Sequence, residues 1–338
     1  MTPVTTAQDT AVVLIAHGTV ESLDDLPEFL TNIRRGHAAP DELVREVRRR
    51  YEAIGGRSPL LDITREVARK LEKKLGMPTR VAMRLFHPYP KDVIADLAHE
   101  GIRRIVTVPL AQHSAAVYGS AMKAAAAEID PSLQVLCAKN WGRTPELTRA
   151  FADSVVAALA RVPQGEAERT AVIFTAHSLP LGIIQAGDPY EKELRASAEA
   201  VAAEVRARAG TAFSEHLVAF QSQGIGSGIE WLGPDLRSTV EDLARRGKRH
   251  VVIAPIGFLA DHVEILYDLD IEAKAWGEGE LGIVLYRSAS LNAGDGLVDA
   301  LAIVARDVLA RPHDFSEPDA GVSRGRPNDP RARANRGG

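Results

Sequence analysis

Leu14-Ile15-Ala16-His17-Gly18-Thr19 returns half a chain later as Phe174-Thr175-Ala176-His177-Ser178-Leu179, each time an apolar run closed by Ala, His and a small residue. A second pair follows in the same order. Gly101-Ile-Arg-Arg-Ile-Val-Thr-Val-Pro-Leu110 is echoed by Gly247-Lys-Arg-His-Val-Val-Ile-Ala-Pro-Ile256. Any two Rossmann-like strands look alike, so the second pair alone would carry little. Both pairs in one order predict two similar α/β lobes that divide near Val162–Glu168.

Outward from these runs, short β-branched stretches alternate with longer amphipathic ones. Strands are predicted at Ala11–Ala16, Arg80–Met83, Ile105–Val108, Leu133–Cys137, Ala171–Thr175, Leu217–Phe220, Val251–Ala254 and Ile283–Tyr286. They are apolar on both faces, as parallel strands covered on both sides must be. Helical patterns at Pro59–Lys74, Pro90–His99, Thr144–Ala160, Glu191–Arg208 and Pro234–Arg246 lie between them. That alternation predicts βαβ units and open parallel sheets. Ligands of such sheets sit beyond the carboxyl ends of the strands, where His17, His113, His177 and His262 fall. The expected organisation is a flexible N-terminus over 1–10, a Rossmann-like lobe over 11–162, a second over 163–311, and a disordered tail over 312–338. The tail is rich in Pro, Gly, Arg and Asp and has too few apolar residues to offset chain entropy.

The 338 residues carry 41 Lys and Arg against 45 Asp and Glu, a net charge of −4. So even a balance gives no electrostatic case for nucleic-acid binding. A lone cysteine, Cys137, excludes an intrachain disulfide, a Cys-rich zinc site and a Cys-ligated iron–sulfur cluster. The N-terminus lacks a basic region, and the run Ala11–Ala16 is short for a signal-peptide core. No stretch approaches the roughly 20 apolar residues of a membrane span. A soluble cytoplasmic protein is expected.

Three groups of residues have chemistry to offer. His177 follows a buried strand, and imidazole titrates nearest neutrality, so it can take a proton or a metal; otherwise it satisfies backbone at a strand end. Asp261-His-Val-Glu-Ile-Leu-Tyr-Asp-Leu-Asp-Ile-Glu272 reads as the opening of a helix. At 3.6 residues per turn, Glu264, Asp268 and Glu272 form one carboxylate row, with neighbours repelling by about 0.2–0.5 kcal/mol. A row kept at that cost suggests cation or proton handling; the bland alternative is a solvated acidic face. The third group is Ile33-Arg34-Arg35-Gly36 with Arg48-Arg49-Arg50-Tyr51 and Gly55-Gly56-Arg57-Ser58-Pro59. Guanidinium, phenol and hydroxyl groups suit an anionic ligand, carboxylates above all, although a surface helix accounts for Arg45 and Arg49. Gly224-Ile-Gly-Ser-Gly228 has neither the Walker ending nor dinucleotide spacing, so no nucleotide site is expected there. His113 and His262 read equally as ligands, as supports for ligands, or as solvent-facing residues.

Taken together the chain resembles the ferrochelatase family. The matching motifs are Tyr51-Glu-Ala-Ile-Gly-Gly-Arg-Ser-Pro-Leu60, Ala82-Met-Arg-Leu-Phe-His-Pro88, Gln112-His-Ser-Ala-Ala-Val-Tyr-Gly-Ser120, Thr175-Ala-His-Ser-Leu-Pro180, Gly187-Asp-Pro-Tyr190, Trp231-Leu-Gly-Pro-Asp235 and Pro255-Ile-Gly-Phe-Leu-Ala-Asp-His-Val-Glu264. The resemblance implies a porphyrin cleft between the lobes. It puts the family's motif histidine on His177, with Thr175 where the family has serine, and the glutamate of its D-H-x-E motif on Glu264. The stretch between Gly18 and Tyr51 looks like that of compact bacterial members; by that likeness Arg34, Arg50, Tyr51 and Ser58 would hold porphyrin carboxylates. Compact members usually carry a tyrosine after the first strand, able to bind the product's iron. This chain has His17, itself a competent iron ligand.

The function implied is insertion of Fe(II), as substrate, into a porphyrin during haem biosynthesis, with coproporphyrin III expected over protoporphyrin IX. His177 and Glu264 would handle the metal and the pyrrole protons, facing each other across a tetrapyrrole-sized gap, and Asp268 and Glu272 would form a relay. No permanently bound cofactor, no iron–sulfur cluster, and a monomer are expected. The alternatives are a chelatase for another metal and tetrapyrrole, such as cobalt and sirohydrochlorin, and a non-catalytic haem or porphyrin carrier.

Overall fold

A computed structural model of the chain describes residues 9–224 and 228–312. The expected tail beyond residue 312, most of the expected N-terminal segment, and the middle of Gly224–Gly228 lie outside the described residues. The first half of the chain forms β1 (Thr10–Ala16), α1 (Leu26–Ile33), α2 (Asp41–Ala53), α3 (Leu60–Leu75), β2 (Thr79–Met83), α4 (Pro90–His99), β3 (Arg104–Pro109), α5 (Ala115–Ile129), β4 (Gln134–Cys137) and α6 (Pro145–Leu159). The second half forms β5 (Thr170–His177), α7 (Leu181–Gln185), α8 (Tyr190–Ala209), β6 (Glu215–Gln221), α9 (Leu236–Arg245), β7 (His250–Ala254), α10 (Val263–Leu266), α11 (Lys274–Gly279), β8 (Val284–Arg287) and α12 (Asp295–Ala310). A π-helical turn, Asp268–Ala273, joins α10 to α11.

The strands pair in parallel as two 4-stranded sheets, β2-β1-β3-β4 and β6-β5-β7-β8. Position for position these are the same order, so the internal echo in the sequence is a structural one. β1 is buried along its whole length, and each large apolar side chain so removed from water stabilises the fold by about 1.5–3 kcal/mol. β5 differs from its predicted span: it runs two residues further and includes His177, because the register pairs His177 with Gln221 of β6. In both sheets the strand order reverses beside the first strand, which leaves a crevice at the carboxyl ends of β1 and β3 and of β5 and β7.

The two sheets share packing. One apolar cluster includes Val12, Leu14 and Val106 from the first sheet, Val172, Phe174 and Val252 from the second, and Leu297 and Leu301 from α12. Helix α12 returns to pack on α6, α3 and β3, while α6 reaches across to α8 and β7. Among the described residues no helix is long and apolar enough to cross a membrane.

Candidate functional site

The register of β5 and β6 builds the centre of the site. Gln221, beside His177 in the sheet, donates its Nε2–H to the backbone carbonyl of Glu264 at 2.9 Å. Tyr190 OH donates to the His177 carbonyl at 2.8 Å, and Ser178 Oγ donates to the Leu232 carbonyl at 2.7 Å. The backbone around His177 is therefore tied on three sides before its imidazole does any chemistry.

Glu264 lies between two imidazoles. His177 Nε2 is 3.6 Å from Oε1, and His262 Nε2 is 3.6 Å from Oε2. In both rings the other nitrogen, Nδ1, donates to a backbone carbonyl, that of Ser178 for His177 and that of Ala260, at 3.0 Å, for His262. Both Nε2 atoms thus face carboxylate oxygens. Two bare lone pairs would repel that carboxylate, so at least one Nε2 carries a proton, and the trio is a place where a proton is held and exchanged. Burial works against ionisation of Glu264, but His177, His262 and His17 override it and hold the carboxyl down to about 2. Burial likewise opposes the His262 cation, and Glu264 raises its pKa regardless.

The expectation that His177 and Glu264 face each other across a tetrapyrrole-sized gap is corrected here. At 3.6 Å no ring fits between them, and both serve one side of any ligand. The expected regular helix is corrected too. Asp261 lies outside it, bound to Ser290 Oγ at 2.7 Å and Asn292 Nδ2 at 2.8 Å. The helix begins at Val263 and passes into the π turn, in which Glu272 N–H bonds the Tyr267 carbonyl five residues back at 2.9 Å. The three carboxylates of the expected row differ in burial. Glu264 is partly covered, Asp268 is buried and Glu272 is exposed.

Asp268 accepts from Ser222 Oγ at 2.6 Å and from Arg50 Nη1 at 3.4 Å. Burial first, then the charges of Glu264 and Glu272, push its carboxyl up to about 6 despite those bonds. Arg50 is therefore engaged with Asp268 and, at 2.9 Å, with Glu46, and its guanidinium sits 5.4 Å from the Tyr267 ring.

Two residues expected to grip carboxylates are turned inward. Tyr51 is 2% exposed, its hydroxyl 3.0 Å from Thr19 Oγ1. Ser58 is 4% exposed, and its Oγ accepts the Leu60 N–H at 3.3 Å. Both hydroxyls hold protein in place and neither meets open space. Arg34 is different: it ends α1, and its buried Nε has no hydrogen-bond partner.

His17, directly after β1, is exposed to the crevice. It is close enough to Glu264, His177 and His262 to feel their charges. Its Nδ1 lies 3.4 Å from the hydroxyl of Tyr118 on α5. His113, in contrast, is 3% exposed and bonded to Ser197 Oγ at 2.9 Å, packed under Gly142; it is a structural histidine. Sequence reasoning left His262 open and gave Tyr118, Arg84 and Ser222 no part. For His262 the signal was its place two residues before Glu264; Arg84 and Tyr118 lie within motifs of the family resemblance, and Ser222 alone had no signal. Among the described residues no group of three His, Cys, Asp or Glu side chains converges as a ready-made metal site.

Comparison with known proteins identifies the family of the chain. A family model described as Ferrochelatase matches residues 9–309. The ferrochelatase of Acidobacterium capsulatum is 38% identical, covering 93% of this chain and 98% of that protein. The coproporphyrin III ferrochelatase of Geobacillus kaustophilus is 37% identical over 90% of this chain and 98% of its own length. That of Bacillus subtilis is 33% identical, over 89% and 98%. In fold the chain is similar to SirB from Bacillus subtilis solved with Fe3+, at 14% identity and a TM-score of 0.56, covering 92% of this chain and 100% of that one.

Proposed function

The chain belongs to the ferrochelatase family of metal chelatases, and we propose that it inserts Fe(II) into coproporphyrin III in the crevice between its two sheets. It is a lyase-class enzyme. The observation that carries the rest is the Glu264 carboxylate flanked at 3.6 Å by His177 and His262.

Insertion replaces two pyrrole protons by one metal dication, so the site must remove two protons from one macrocycle. An imidazole Nε2 of the trio takes the first, and the Glu264 carboxylate stabilises the cation so formed. Asp268, with a carboxyl near 6, accepts a proton at neutral pH readily enough to pass the second towards exposed Glu272. His177 and Glu264 also meet the arriving metal before the ring nitrogens take it. Binding energy from carboxylates at the ring edge bends the macrocycle and bares its lone pairs. Arg34, with a buried and unpartnered N–H, is the residue we assign to that grip.

Coproporphyrin III is preferred for two reasons. The relatives from Geobacillus kaustophilus and Bacillus subtilis bear that substrate in their names, and a tetracarboxylate suits a guanidinium grip. The enzyme would act in the cytoplasm as a monomer, without a resident cofactor. Anaerobic turnover of Fe(II) with coproporphyrin III, with protoporphyrin IX, and of Co(II) with sirohydrochlorin tests the assignment. The first pair should be the fastest and should release two protons per metal. His177→Ala should lose at least about 100-fold in kcat while still quenching porphyrin fluorescence on binding. Undiminished turnover by that variant would sink the proposal.

A further inference from the structure

Arg287 closes β8, where it pairs with Ile253 of β7, the strand that leads into the loop carrying His262 and Glu264. Its guanidinium reaches two carboxylates. Nη1 is 3.3 Å from Asp261 Oδ1, while Nε and Nη2 donate to Asp270 Oδ1 and Oδ2 at 2.6 and 2.9 Å. His262, Glu264 and Asp268 lie between those two aspartates in the chain. The residues just after Arg287 secure the first of them. Ser290 Oγ and Asn292 Nδ2 donate to the Asp261 carboxylate, and Asn292 Oδ1 accepts the Asp261 N–H at 2.8 Å.

We infer that Arg287 is a positioning residue of the site: by gripping Asp261 and Asp270 at once it fixes the segment between them, and so the place of Glu264 between its two imidazoles. The segment has little stiffness of its own. α10 is 4 residues long, and a helix that short does not stand by itself in water. The Glu264 side chain is no anchor either, since each imidazole Nε2 is 3.6 Å away, beyond ordinary hydrogen-bond length. Gln221 ties the middle of the segment through the Glu264 carbonyl, which leaves the two ends to be held. A guanidinium suits that task. Its donors are coplanar and rigid, so a fork on Asp270 leaves Nη1 aimed in one direction, at Asp261. A lysine has a single nitrogen and cannot fork. The Arg287 and Asp261 side chains are 19% and 20% exposed, so solvent and salt screen this pair less than a surface one.

The consequence rests on the reading of the crevice as the place of metal insertion. Without the grip Glu264 is free to drift from His177 and His262, and a misplacement of about 1 Å costs roughly 100-fold in rate. None of these bonds involves Arg34, the residue assigned to the ring's carboxylates, so the loss falls on kcat and not on porphyrin affinity.

Full-length Arg287→Ala and Arg287→Lys are compared with wild type below the melting temperature of all three. Arg287→Ala should lose about 10–100-fold in anaerobic kcat for Fe(II) and coproporphyrin III, with porphyrin affinity, read by fluorescence quenching, unchanged. Arg287→Lys keeps the charge without the fork. It should regain Tm but not kcat, a split that a merely stabilising arginine would not give. NMR with 15N-labelled histidine supplies a readout without turnover. The side-chain signals of His177 and His262, each assigned by its absence in the alanine variant, should move in Arg287→Ala while those of His113 and His216 stay. Unaltered kcat in Arg287→Ala, kcat that returns with Tm in Arg287→Lys, or unmoved His177 and His262 signals overturns the inference. If Arg287→Ala does not fold, Asp270→Ala, which frees one end of the grip, takes its place in the kinetic and NMR comparisons with the same outcomes. Wild-type enzyme that leaves coproporphyrin III without metal would count against the proposed function instead, and the NMR comparison would still decide whether Arg287 sets the place of the histidines.

Discussion

Glu264 and Asp268 are the same functional group one helical turn apart, and their surroundings drive them in opposite directions. Imidazoles hold Glu264 down to about 2, whereas burial and two neighbouring carboxylates push Asp268 up to about 6. Linkage gives the two opposite effects on stability. The depressed Glu264 contributes stability that is present above the ordinary carboxylate range and is lost as pH falls through 2. The raised Asp268 favours the fold when protonated, below about 4, and that contribution disappears as pH rises through 6. At pH 7.5 a buried Asp268 anion therefore costs stability, of order 3 kcal/mol for a shift of this size. Asp268→Asn, able to keep the bond from Ser222, should raise Tm at pH 7.5 and change it little at pH 4. Thermal melts at the two pH values test this, and equal shifts at both would refute it. In turnover the variant should be impaired less than His177→Ala, since water offers other proton paths.

At the scale of elements, the site depends on where β5 stops. The strand runs through His177 because Gln221 of β6 pairs with it, and that glutamine then holds the Glu264 backbone. The loop after β7 closes tightly on the same strand end. Gly257 N–H bonds the Thr175 carbonyl at 3.0 Å, and a Cβ at Gly257 would stand 2.3 Å from Ala176 Cβ. Backbone must move to admit even a methyl group, and the residue that moves is the neighbour of His177. Gly257→Ala should cost about 1–3 kcal/mol and lower kcat by more than tenfold, with porphyrin affinity affected less. Calorimetry with steady-state kinetics reads both numbers; normal kcat in a destabilised variant would show that the strand end tolerates displacement. The π turn acts in the same way on the acidic row, setting Asp268 against Ser222 and Arg50.

Across the whole molecule, α6 and α12 join what the strand order divides. Both belong to the cluster that includes residues of the two sheets. Where they cross, a Cβ at Gly296 would lie 2.8 Å from Ala150 Cβ. A shared core of this kind predicts one unfolding transition. Gly296→Val should shift that transition down, again by about 1–3 kcal/mol, without splitting it. Two resolved transitions in differential scanning calorimetry would mean that the halves unfold independently. The rigid junction matters for function, because His17 comes from one sheet and the Glu264 trio from the other.

Much of this was legible in the residues alone. Runs such as Val12–Ile15 and Val251–Ala254 are short, β-branched and apolar on both faces, as covered parallel strands are. A histidine closing a strand in each half marks the crevice for the same reason that ligands collect at carboxyl ends of strands. What could not be read was the partner of each polar side chain. Tyr51 and Ser58 sit in a motif that suits carboxylates, and the folded chain turns both inward. Arg50 meets an acid 218 positions away, and Tyr118 meets His17 over 101. Periodicity and local apolarity act over a few neighbours, so the sequence by itself determined the strands, the helices and the identity of the chemical groups. Hydrogen bonds and ion pairs close between distant segments only after the sheets have packed, so the tertiary structure alone decided which groups face the crevice and in what protonation state.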